Sequence, residues 1–167
     1  NVDTQTYIFL SDVIEQDYAA TLAAGFPSSW GGTSPDYGMD FDVIGQNGTD
    51  RYNGRYTETI EEDLKAVPTL SVVLDIMDMF GPDGIYTNST RHGVAWERPA
   101  SVELIYPNGD QGFQENCGIR IQGGAFRSHN LTRKHSFRLL FKDDYGVTKL
   151  RYPLFGPDAA DRFDTIT

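Results

Sequence analysis

The residues best able to do chemistry crowd into one stretch. Residues 118–141 read GIRIQGGAFRSHNLTRKHSFRLLF, with Gly123, Gly124, Arg127, His129, Arg133 and Lys134 in a turn and Arg120 and Arg138 in the runs on either side. Guanidinium and ammonium groups at that density suit an anion, and phosphate most naturally, through charge-assisted hydrogen bonds. Two adjacent glycines let the backbone fold close and present its N–H groups as further donors. In the first run Ile119 and Ile121 alternate with Arg120 and Gln122; in the second, Phe137, Leu139 and Phe141 alternate with Ser136 and Arg138. Antiparallel pairing of 118–122 with 135–141, polar faces aligned, puts Arg120 and Arg138 on one surface. The same residues also fit a long hairpin loop whose solvated basic rim pairs with the chain's many carboxylates. Neither G-x-x-x-x-G-K-[ST] nor a complete G-x-G-x-x-G is present to decide between the two.

Other candidate constellations are weaker. His92, His129 and His135 are too scattered to read as a metal site. Asp36, Asp40 and Asp42 invite a calcium reading but lack the rest of an EF-hand loop, so solvated turn aspartates are favoured. Asp75, Asp78 and Asp83 follow an apolar strand and could bind a cation; capping of a short helical turn is the simpler role. Trp96 and Arg98 could stack or clamp, although a Trp beside a strand start more often packs. No G-x-S-x-G elbow is present. The single Cys117 excludes an internal disulfide and any zinc site with more than one thiolate, and reads as a buried structural thiol.

The elements that must position these groups are mostly strands. TQTYIFL is rich in β-branched and aromatic residues and reads as a strand. SDVIEQDYAATLAAGF suits one short helix capped by Ser11 or Asp12, and TETIEEDLKAV another with a Thr59–Glu62 capping box. Between them, residues 27–56 form a long ordered loop or arm. TLSVVLDI is apolar enough to sit centrally in a sheet, Ile85–Thr87 reads as a short strand, and ASVELIY alternates cleanly before a PNGDQG turn. The total is about seven strands and two or three short helices, an α+β and mainly β fold built on an antiparallel sheet.

Composition sets outer limits. The 167 residues, 39% hydrophobic and 13% aromatic, are enough for a globular core. The net charge of -10 argues against a general nucleic-acid binder. No apolar run approaches the roughly 20 residues of a membrane-spanning helix. The opening NVDTQTYIFL and closing RFDTIT read as strands entered or left midway, as in a piece of a longer protein. The triplets at Asn47, Asn88 and Asn130 fit the N-glycosylation pattern but are common by chance.

Four segments together, VPTLSVVLDIMDMFGPDGIYTN, AWERPASVELIYPNG, GFQENCGIRIQGGAFR and KHSFRLLFKDDYGVTKLRYPLF, resemble the amino-terminal part of CotH-type (spore-coat protein H) kinases of large secreted bacterial proteins. The resemblance covers residues 67–167. Residues 11–66 are then a linker and arm, and residues 1–10 resemble the last strand of a chitobiase-type β module. The resemblance implies the small lobe of an atypical protein kinase, with ATP and Mg or Mn as cofactors of the intact family member. Lys134 and Arg138 become the leading phosphate contacts, then Arg120 and Arg127, with Gly123 and Gly124 as the glycine turn. It also implies an extracellular or cell-surface location in a bacterium, and as partners the remaining kinase lobe and a protein substrate. The family's L-R-x-N-x-x-D segment, catalytic acid and metal-binding carboxylate have no counterparts among these residues, so no catalytic or metal-binding residue is assigned and the chain alone is expected to be inactive. The alternative is a non-catalytic surface module binding protein or glycan through Trp30, Tyr37, Phe41, Tyr52, Tyr56 and the basic loop; a further possibility is a plain linker between modules.

Overall fold

Alternation along the strands separates an apolar from a polar sheet face, and the computed structural model, described for residues 4–45 and 50–167, shows where each face goes. Five strands form an antiparallel sheet in the order β1 (Thr69–Val73), β2 (Arg98–Ile105), β3 (Gln114–Ile121), β4 (Phe137–Leu140) and β7 (Thr165–Ile166). A separate pair joins β5 (Leu150–Arg151) to β6 (Arg162–Phe163). The fold is α+β and mainly antiparallel β, as the strand patterns imply. Val102, Cys117, Ile119, Ile121 and Leu139 turn to one face and pack with Ile85, Tyr86 and Trp30. Cys117 is fully buried opposite Ala100, and burial pushes its thiol up to about 12, so it behaves as an inert core residue.

Among the described residues, five short α-helices lie outside the sheet: α1 (Leu10–Glu15), α2 (Tyr18–Ala23), α3 (Phe41–Ile44), α4 (Ile60–Lys65) and α5 (Ile76–Phe80). The single helix expected after residue 10 is two. Asp17 interrupts it by accepting from the Ala20 amide at 2.7 Å, which starts α2 afresh. Gly38 passes so close to the Gln16 carbonyl at this break that a Cβ would overlap it. Neither Ser11 nor Asp12 caps α1; its N-cap position is Phe9. The Thr59–Glu62 capping box is also absent, since the Thr59 hydroxyl donates to Asp63 instead.

Three strand expectations fail for definable reasons. Residues 4–9 form no strand: side chains, not a neighbouring backbone, meet them. Thr4 donates to the Ser101 hydroxyl at 2.6 Å and the Thr6 amide donates to Glu103 at 2.9 Å, so the segment lies across the polar face of β1 and β2. β1 is an edge strand, not a central one, and Leu70 and Val73 remain exposed. An apolar run reports side-chain type, whereas the edge position depends on which backbones pair. Residues 85–87 form a turn because the Ile85 and Tyr86 amides donate to Asp78 and Met79 of α5. The long loop is integrated with the fold: Trp30 is buried in the core and donates its indole N–H to the Tyr37 hydroxyl at 2.9 Å.

Candidate anion site

The polar face is organised by one buried carboxylate. Glu97 immediately precedes β2, and its side chain is 1% exposed. It accepts from Arg120 Nη1 at 3.0 Å, Lys142 Nζ at 2.6 Å and the Tyr145 hydroxyl at 3.4 Å. A buried carboxylate without such partners would be heavily disfavoured. Two cations against one anion leave the cluster with one net positive charge. Tyr145 remains a phenol, its pKa raised first by burial and then by the charge of Glu97. Its ring covers Gly118 so closely that a Cβ there would overlap it.

The register brings Arg120 and Arg138 directly opposite each other across β3 and β4, as the alternation requires. Past β3, the ladder continues for one bond from the Gln122 amide to Ser136, and Gly123 then turns with φ +118°, a conformation that suits glycine. Arg127 ends the short helical turn Ala125–Arg127 and donates to the Arg91 carbonyl at 3.0 Å. The buried Ser89 hydroxyl donates to the Arg127 carbonyl and anchors that turn. An open pocket of about 420 Å³ results, lined by Thr90, Gly93, Arg120, Gly123, Gly124 and Arg127.

The structure therefore unites four of the six residues singled out in the sequence, and sets Arg138 beside them through its pairing with Arg120. Lys134 stands apart. It lines a neighbouring pocket across Gly123 and pairs with Asp36 at 3.2 Å, its side chain 63% exposed. Among the described residues, the buried side-chain polar atoms without a hydrogen-bond partner are Nε of Arg120, Arg127 and Arg138. An unpaired buried donor costs about 1–3 kcal/mol, so three of them on neighbouring cationic side chains mark an unusual concentration of unused donor capacity.

The acidic candidates are committed elsewhere. Asp75 caps α5 by accepting from the Met77 amide at 2.7 Å, and Asp78 pairs with Arg98 at 3.5 Å. Arg98 also stacks over Trp96 and donates to the Asp83 carbonyl. Asp42 pairs with Arg51, and Asp40 accepts from the Asp42 amide, as turn aspartates do. Among the described residues, no group of three His, Cys, Asp or Glu side chains is placed to hold a metal ion. Of the aromatic residues proposed for glycan stacking, Trp30 and Tyr37 serve the core, while Tyr52 and Tyr56 stack on each other at 5.3 Å with Tyr52 exposed. Asn88 of the second glycosylation triplet uses its amide to donate to Pro82 and Gly84; the first triplet, 47–49, lies outside the described residues.

Glu97, Lys142 and Tyr145 escaped the sequence reading. One signal was available: Glu97, Pro99 and Ser101 share parity on β2, which places Glu97 on the polar face with Arg120. The described residues contain no helix long and apolar enough to cross a membrane. No protein-family model, curated protein or solved structure matches the chain.

Proposed function

We propose that this chain is a phosphate-binding, small-lobe-like part of a CotH-type secreted protein kinase, holding a nucleotide's phosphates at the pocket between Gly123, Gly124, Arg120 and Arg127. The observation that carries this reading is the pocket that Arg120 and Arg127 line with Gly123 and Gly124, with Arg138 directly opposite Arg120 in the sheet. Glu97 contributes by positioning: it fixes Arg120 and Lys142 so that their charge is preorganised and need not reorganise when an anion arrives. Arg127, on the rim, supplies a charge-assisted donor to a phosphate oxygen. In the intact kinase such groups offset charge on the transferring phosphoryl group. The catalytic acid and the metal-binding carboxylates belong, on this reading, to the larger lobe, so the chain by itself binds without turning over. Its place is the bacterial cell surface or exterior, and its partners are that lobe and a protein substrate.

Calorimetric titration with pyrophosphate and with ATP tests the proposal. Arg127→Gln removes a rim cation without stranding Glu97, and is expected to weaken pyrophosphate binding about tenfold, the scale of one charged hydrogen bond. Equal affinity in the wild type and in both Arg127→Gln and Arg138→Gln would remove the site. Lys134→Ala separates the two pockets: an unchanged affinity places the anion on the Arg120 side of Gly123.

A further inference from the structure

His129 and His135 sit in a chain of three close ring-nitrogen contacts, and all three can be hydrogen bonds at once only with three ring protons. His135 Nδ1 lies 3.0 Å from the Phe126 carbonyl, His135 Nε2 lies 3.0 Å from His129 Nδ1, and His129 Nε2 lies 3.0 Å from the Tyr86 carbonyl. Carbonyl oxygens only accept, so both outer nitrogens carry hydrogen. The inner pair needs exactly one more between them. Three protons on four nitrogens make the pair a single cation, whereas two neutral imidazoles supply two and leave one of these bonds unmade. A fourth proton would set two N–H groups against each other and break the inner bond.

We propose that His129 and His135 form a pH-dependent latch, closed with one shared extra proton, that ties the glycine-containing turn to the Tyr86 segment and to the arm. The ties are specific. The Phe126 carbonyl belongs to the turn that carries Arg127, and a Cβ on Gly31 of the arm would overlap the His129 ring. The Tyr86 ring packs on both imidazoles, and its hydroxyl donates to the Arg133 carbonyl and accepts from the His135 amide.

The groups around the pair set its charge. Tyr86 faces it as a phenol, its pKa raised chiefly by burial. Arg127, Arg133 and Lys134 flank it in the same turn and oppose positive charge on the rings, while Asp36 from the arm offsets Lys134. Phe137 of β4 and Trp30 and Tyr37 of the arm close the surroundings without a charge, packing around Tyr86. Burial pushes His135 below its ordinary value, the Phe126 carbonyl pulls it up, and His129 pushes it down again. Resistance of His135 to protonation contributes stability that is present above about pH 6.5, where the unfolded His is neutral, and is lost as pH falls toward the folded value. Two ring protons leave one of the three bonds unmade and four break the inner one, so the latch closes in a window of pH and opens on both sides.

Nitrogen-15 spectra of the imidazole rings in the 167-residue chain test this without any added ligand. Three ring N–H protons shared by His129 and His135 near neutral pH are expected; two would overturn the latch. Hydrogen exchange of the Arg127, Ser128, Leu131 and Thr132 amides, which donate within the turn, is expected to rise about tenfold over its intrinsic rate on either side of the window. His129→Gln is expected to abolish that pH dependence, and a flat profile in the wild type overturns the proposal even if the variant does not fold. The consequence for ligand binding, weaker pyrophosphate affinity outside the window, rests on the phosphate reading above. The spectra and exchange do not, so the two can fail separately.

Discussion

On β3, Cys117, Ile119 and Ile121 turn to one face and are 0–3% exposed, while on the other face the Tyr145 ring covers Gly118 and Arg120 meets the Glu97 carboxylate. The two faces are held by different physics. The apolar face is a matter of volume: side chains from β2, β3 and β4 fill space with Ile85, Tyr86 and Trp30, and any similar set of shapes would serve. The polar face is a matter of charge balance: Glu97 is buried because Arg120 and Lys142 are there, and Arg120 tolerates Arg138 opposite because Glu97 is there. The second face thus depends on its charges as a set, because removing one partner strands another, whereas the first depends only on filled volume.

Breaking each face separately should give different signatures. Ile119→Ala, at a fully buried position, is expected to cost about 2–5 kcal/mol in urea unfolding through lost transfer free energy and a cavity. Arg120→Met is expected to cost about 3 kcal/mol, because Lys142 alone then faces the buried Glu97, and a second change, Glu97→Met, should recover much of that loss. Failure of the double variant to recover would show that shape, not charge balance, governs this face. The smallest stability effect belongs to Arg127→Gln, which loses one hydrogen bond to the Arg91 carbonyl and should cost about 1–2 kcal/mol while weakening pyrophosphate binding.

How much of this could be read from the residues follows from the range of each interaction. The pairing of Arg120 with Arg138 was legible because strand alternation has a period of two and both runs keep it. Asp75 as a cap was legible because its partner, Met77, is two residues away. Glu97 was not, since its partners lie 23 and 45 residues along the chain and only the sheet register brings them together. His129 and His135 are six residues apart in a turn without a fixed period, so nothing local announces that their rings meet at 4.7 Å. The segment 4–9 misled for a related reason: its β-branched and aromatic residues meet strand composition, but the side chains it meets on β1 and β2 occupy the place a ladder would need.

The central claim is that the arginines of the polar face are donors to a phosphate. Proton–nitrogen correlation spectra of the arginine Nε–H groups, recorded while pyrophosphate is added, test it most directly. The account predicts that the signals of Arg120, Arg127 and Arg138 move together and saturate with one dissociation constant, while that of the exposed Arg51, paired with Asp42, stays in place. Signals from the three that do not move, or that move no more than that of Arg51, would contradict it.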